Sequence, residues 1–133
     1  MTANDRLSVF YVDDDDDIRH IVTLALSFDA SVDLRAFGRS DEALAAAQLN
    51  DWKPDIAMLD VMMPGMNGPT LMKALRPLPN FAAVPFVFLT ARARLGDIED
   101  YKAAGAADVI IKPFDPLTLA QRLREISRAG KAG

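Results

Sequence analysis

Cysteine is absent, histidine and tryptophan occur once each, and no apolar run approaches the length of a membrane span. Without cysteine there can be no disulfide framework, no thiolate metal site and no thiol nucleophile, which suits a reducing compartment. The missing apolar run excludes membrane insertion through a helix. The opening Met1-Thr2-Ala3-Asn4-Asp5-Arg6 lacks the charged-then-apolar layout of a secretory signal, so a cytoplasmic location is expected. A basic stripe is also missing. The net charge of -4 argues against direct nucleic-acid binding, which needs a cationic face to displace counterions from phosphates. There is no low-complexity tract and no repeat at solenoid spacing.

What is present is a globular composition, 50% hydrophobic and 26% charged, in 133 residues, enough for one core and too little for two. A single domain over 1-133 is expected, with its core at about 7-129 and no room for an output domain. Short apolar runs alternate with longer segments of helical period, the pattern of a parallel sheet wrapped by helices. The strand candidates are Ser8 to Val12, Val32 to Phe37, Ile56 to Leu59, Val84 to Leu89 and Val109 to Ile111. The third to fifth are continuously apolar, as strands covered on both faces must be. Ile18, Ile21, Val22, Ala25 and Leu26 recur at the spacing of one helical face, and Leu119, Leu123 and Ile126 share another. Ser40 is expected to cap the second helix and Asp115-Pro116 to open the fifth. Gly105 and Gly130 should end the fourth and fifth helices, and Pro77 and Pro79 close the third.

In open parallel sheets ligands bind outside the carboxyl ends of the strands. The residues that follow the apolar runs there are Asp13 and Asp14, Asp60, Thr90 and Lys112. Each alone has an ordinary explanation as a helix start, a turn residue, a cap or a surface cation. Together they are harder to explain that way, because three carboxylates at one sheet edge repel one another unless something positive lies among them. All-oxygen ligands point to a hard cation, Mg²⁺ over zinc, and His20 falls on the exposed side of the first helical pattern. A carboxylate beside such an ion, an ammonium and a hydroxyl is equipped for phosphoryl transfer: Lys112 neutralises charge, Thr90 donates a hydrogen bond and a carboxylate oxygen attacks. Asp60 stands alone at the end of a central strand and is the expected nucleophile, while the pair Asp13 and Asp14 is better placed to hold metal. The turn Met62-Met63-Pro64-Gly65-Met66-Asn67-Gly68 bends tightly and could offer a backbone carbonyl to the same ion. Met63 is expected to pack into the core.

Val12-Asp13-Asp14, Leu59 to Gly68, Leu89-Thr90-Ala91 and Lys112-Pro113-Phe114 stand in the order and spacing of one family. Over nearly its full length the chain resembles the receiver domains of two-component response regulators. The resemblance implies an α/β fold, a doubly wound five-stranded parallel sheet of the (βα)5 flavodoxin-like type with strand order 2-1-3-4-5. It implies that Asp60 accepts a phosphoryl group from a histidine kinase or histidine phosphotransfer protein. The metal would be Mg²⁺, with Mn²⁺ able to substitute, bound by Asp14, Asp60 and the Met62 carbonyl and by Asp13 through water. Thr90 and Lys112 would hold the phosphoryl group, and Lys112-Pro113 would be cis. Such a protein modifies itself without being a turnover enzyme, and signals to a downstream protein through the fourth helix, fifth strand and fifth helix, including Tyr101, Lys102, Arg122 and Arg124. Many members carry an aromatic residue three positions before the site lysine; here Val109 stands there. Met62 and Arg92 occupy the positions that the family links to phosphoryl lifetime. Neither obviously positions water, so a phosphorylated state that is not unusually short-lived is expected.

The same residues bear on three rival readings. A flavin module would need a phosphate loop after the first strand, where Asp13 to Asp17 would repel the anion. An aspartyl-phosphate hydrolase commonly places an acid two positions after its nucleophile, where this chain has Met62. A receiver-shaped module that has lost phosphorylation would usually lack the nucleophile, the acidic pair or the lysine, and all are present.

Overall fold

In a computed structural model of the chain, residues 6–91 and 94–132 are described. The elements follow one another as β1 (Leu7–Val12), α1 (Asp16–Ser27), β2 (Val32–Phe37), α2 (Ser40–Gln48), β3 (Ile56–Asp60), α3 (Gly68–Leu75), β4 (Phe86–Thr90), α4 (Leu95–Ala103), β5 (Asp108–Ile111) and α5 (Leu119–Ala132), with a 3-10 turn at Pro79–Phe81 before β4. The five strands form one parallel sheet in the order β2-β1-β3-β4-β5. The expected fold class and strand order are both found. Every residue of β3 and β4 is buried, which explains their unbroken apolar sequence, whereas β2 is an edge strand and only half-buried.

Side chains alternate across this sheet and divide the interior into two layers. Phe10, Val12, Ala57, Leu59, Phe86 and Phe88 meet Ala43 and Ala47 of α2, Leu71, Met72 and Leu75 of α3, and Tyr101 of α4. Val9, Tyr11, Ile56, Met58, Val87, Leu89 and Ile110 meet Val22 and Leu26 of α1 and Leu119 and Leu123 of α5. The helical stripes read from sequence therefore face the sheet, except that Ile21 is exposed.

Several expected boundaries move. Ser40 is the first residue of α2, not its cap: the chain becomes helical one position earlier because the Arg39 carbonyl already accepts from Ala43 N. Asp115 caps a turn, its Oδ1 accepting from Leu117 N, and α5 begins only at Leu119. Gly130 does not end α5, which continues to Ala132; one glycine weakens a helix by about 1 kcal/mol and does not by itself stop it. Val84 and Pro85 precede β4, since the Val84 N–H closes the turn on Phe81 and proline has no N–H to give. Gly105 does end α4, at φ 118°, and Pro77 and Pro79 follow the end of α3 as expected. Among the described residues no helix is long and apolar enough to cross a membrane.

Candidate functional site

The sheet reverses its strand order between β1 and β3, and a crevice opens at the carboxyl ends of strands flanking such a reversal. A cleft of about 350 Å³ lies there, lined by Asp14, Asp15, Asp60, Met62, Thr90, Ala91 and Lys112. Asp13, Asp14 and Asp60 each offer one carboxylate oxygen, and the three oxygens lie within 4.8 Å of one another. Lys112 Nζ is 3.5 Å from Asp13 Oδ2 and 3.6 Å from Asp60 Oδ1. The site residues expected from sequence are thus brought together, with Thr90 buried at the end of β4 beside them. His20 is exposed on α1 and is not among the residues grouped there.

The three acids are not equivalent. Asp13 is fully buried and already engaged: Oδ2 accepts from the Tyr11 hydroxyl at 2.8 Å and Oδ1 from Asp15 N at 3.0 Å. Asp14 is exposed at the cleft. Asp15 caps α1, accepting from Asp17 N and Ile18 N, so the acidic run divides into a part that joins the carboxylate cluster and a helix start. Asp60 is buried, and burial pushes its carboxyl up to about 7; the neighbouring Asp13 charge adds to this and Lys112 opposes it. A carboxylate held at such a disadvantage gains from any cation entering the cleft.

The donor set fits a hard divalent ion. Three carboxylate oxygens gather without sulfur or imidazole, and two of the carboxylates flank an open cleft that leaves coordination positions for other oxygens. The loop after β3 is shaped for this. Gly65 takes φ 77°, and a Cβ on Gly68 would lie 2.5 Å from the Asp60 carbonyl oxygen, so the chain folds back against the strand end only because residue 68 has no side chain. Gly68 N donates to Val61 O at 3.0 Å and fixes that return. Met62 is exposed at the cleft while Met63 packs in the core, as expected.

The Lys112-Pro113 peptide is cis. Arg92 lies outside the described residues. Val109 is buried, and the aromatic contact on the neighbouring strand residue Phe88 is supplied by Tyr101, edge-on at 5.3 Å. Lys102 and Arg122 meet at β5, where Lys102 Nζ and Arg122 Nη2 lie 4.0 Å and 3.7 Å from the Asp108 carboxylate, while Tyr101 packs on Phe88 of β4. Arg124 does not join them. It is rotated to the other side of α5, where its guanidinium donates to Asp29 at 2.8 Å and to Ser31 in the turn between α1 and β2. Two positions along a helix amount to about 200° of rotation, which separates Arg124 from Arg122. Sequence reasoning missed two groups that touch the acidic cluster. One is the Tyr11 hydroxyl; the other is Arg19, whose guanidinium donates to the Asp13 carbonyl at 2.9 Å. Tyr11 stands two residues before Asp13 on a strand, a same-face spacing that would have found it.

This arrangement of fold and cleft defines a doubly wound α/β domain with an acidic cluster at its switch point. The sequence matches the response regulator receiver domain over residues 9–124. It is 37% identical over 130 residues to the transcriptional regulatory protein CseB of Streptomyces coelicolor, covering 97% of this chain and 53% of CseB. It is 35% identical over 122 residues to the DNA-binding response regulator MtrA of Mycolicibacterium smegmatis, covering 90% of this chain and 50% of MtrA. The chain thus spans about half the length of the curated relatives it matches. Among solved structures, the chemotaxis protein CheY4 of Vibrio cholerae superposes with a TM-score of 0.81 at 33% identity, covering 91% of this chain and 98% of that one. The chain belongs to the response regulator receiver domain family, the phosphorylation-dependent signalling switches of two-component systems.

Proposed function

We propose that Asp60 accepts a phosphoryl group from the phosphohistidine of a histidine kinase or histidine phosphotransfer protein in an Mg²⁺-dependent reaction. The observation that carries this reading is the meeting of three carboxylate oxygens within 4.8 Å with Lys112 Nζ 3.6 Å from Asp60, in one open cleft. Asp14, Asp60 and the Met62 carbonyl would hold the ion, with Asp13 acting through water because its own oxygens already accept protein hydrogen bonds. When bound, the ion supplies charge neutralisation to the incoming phosphoryl oxygens. An Asp60 carboxylate oxygen attacks phosphorus as the bond to the donor nitrogen breaks. Lys112 draws its ammonium onto the phosphoryl oxygens, and the Thr90 hydroxyl donates to another. Water competes poorly for the product, since the exposed Met62 thioether offers no base to activate it.

The domain modifies itself and is no turnover enzyme; it acts through protein contacts. The surface around β5, with Tyr101, Lys102 and Arg122, is the proposed output face, and Arg124 serves instead to fasten α5. Incubation with acetyl phosphate and Mg²⁺, read by intact mass, tests the acceptor. Wild type should gain one phosphoryl group and Asp60→Asn none; a gain that survives the substitution would move the acceptor elsewhere.

A further inference from the structure

One polar contact at the site is made from inside the core. Tyr11 is fully buried in the layer beneath α1 and α5, and its hydroxyl reaches the acidic rim from below. The oxygen it donates to, Asp13 Oδ2, is the same atom that faces Lys112 Nζ at 3.5 Å. Lys112 therefore stands 3.5 Å from one carboxylate and 3.6 Å from the other. Neither is a closed ammonium–carboxylate hydrogen bond, which would be about 2.7 to 2.9 Å. With two carboxylates at nearly equal distance, the ammonium is closed onto neither. Here the 2.8 Å hydrogen bond from the phenol already takes one acceptor direction on Asp13 Oδ2.

We propose that Tyr11 is a positioning residue for phosphoryl transfer, its hydroxyl occupying Asp13 Oδ2 and so holding Lys112 balanced between Asp13 and the acceptor Asp60. This rests on Asp60 being the phosphoacceptor, as proposed above. With phenylalanine at position 11 the ring still fills the core, but Oδ2 is left facing Lys112 without the phenol's hydrogen bond. The ammonium then closes onto Asp13 and withdraws from the place where the phosphoryl oxygens arrive. Bulk water does not reach the vacated hydroxyl position, because Tyr11 lies in the core at 0% exposure. A hydroxyl that only satisfied a buried acceptor would contribute to stability, but its effect on rate would not depend on Lys112.

The test is a double-mutant cycle on the full chain. Initial rates of phosphorylation by acetyl phosphate at saturating Mg²⁺ are measured by intact mass for wild type, Tyr11→Phe, Lys112→Met and the double variant, with Mg²⁺ affinity measured by calorimetry. Tyr11→Phe should slow wild type roughly tenfold but slow the Lys112→Met protein less than about twofold, with Mg²⁺ affinity within about twofold throughout. An equal slowing in both backgrounds, or no slowing in wild type, overturns the proposal. Should Tyr11→Phe melt below the assay temperature, 3-fluorotyrosine at position 11 supplies a more acidic donor of similar volume; a rate at or above wild type supports the proposal and a fall overturns it. If wild type gains no phosphoryl group that Asp60→Asn lacks, the acceptor assignment fails first, visibly apart from the cycle, and the proposal falls with it.

Discussion

Replacing Asp60 with asparagine should make the ion-free protein more stable than wild type in mildly alkaline solution. The Asp60 carboxyl is raised from 3.8 to about 7 by burial and by the Asp13 charge, against the pull of Lys112. Between those two values the native protein holds more protons than the unfolded chain, so stability falls as pH climbs through that window and the loss is complete above about 7. A shift of about 3 units at about 1.4 kcal/mol per unit gives a ceiling of about 4 kcal/mol. The cleft admits water and the surroundings relax, so about 1 to 2 kcal/mol is the working figure. Asparagine removes the buried charge and leaves Lys112 paired with Asp13. In chelator at about pH 8, Asp60→Asn should melt about 3 to 10 °C above wild type, a domain of this size moving about 3 to 5 °C per kcal/mol. At about pH 5 the wild-type carboxyl is itself mostly neutral, and the gap should nearly close. Saturating Mg²⁺ should raise wild type more than the variant, because the ion binds the native carboxylate cluster. Calorimetric melts of both proteins across this range are the assay. A variant no more stable than wild type in chelator at about pH 8, or an advantage that persists unchanged at about pH 5, would refute the reasoning.

Lys112→Met should slow phosphorylation by acetyl phosphate by about a hundredfold or more, the usual loss when one charge-stabilising donor is removed, while Mg²⁺ binding by calorimetry is retained. Gly68→Ala places a Cβ 2.5 Å from the Asp60 carbonyl oxygen, so the loop after β3 must shift; denaturation should show a loss of about 1 to 3 kcal/mol, together with weaker Mg²⁺ binding. Arg124→Ala should lower stability by about 1 kcal/mol at neutral pH, a modest figure because Asp29 is partly exposed. The Ser31 and Arg124 hydrogen bonds hold the Asp29 carboxyl down at about 2, so its contribution is full above its ordinary 3.8 and lost as pH falls through about 2; the wild-type advantage in acid melts should vanish there. Once acetyl phosphate is removed, the phosphoryl group on Asp60 should persist well beyond seconds by timed intact mass, and loss within seconds would show that the site activates water after all.

The central strands and the acidic cluster were legible because their signals are local. A strand covered on both faces must be apolar throughout, and the residue at its carboxyl end falls at the switch point whatever the loops do. β3 ending in Asp60 and β4 ending in Thr90 are cases of that rule. The features that escaped depend on neighbours distant in sequence. Gly130 stands apart: it is no stop because a single glycine costs a helix only about 1 kcal/mol, and α5 runs on to Ala132. Arg124 turns away from β5 because Asp29 and Ser31, some 95 and 93 residues back along the chain, lie within its reach. Ser40 and Asp115 have the chemistry of caps, but the backbone of Arg39 and the turn at Pro116 set the helix starts. Tyr11 fits an apolar strand in sequence, since a pattern of hydrophobicity carries the ring and not the hydroxyl.

The two outer helices beside β5 are secured very differently. α5 sinks Leu119, Leu123 and Ser127 out of solvent and is guyed on both flanks, by Arg122 to the Val109 carbonyl and by Arg124 to Asp29. α4 has no fully buried residue and rests on the sheet chiefly through the edge of Tyr101 against Phe88. Displacing α4 therefore forfeits little apolar contact, whereas shifting α5 would tear open a packed layer. The molecule is a bolted frame with one loosely hung panel, and that panel begins a few residues beyond Thr90.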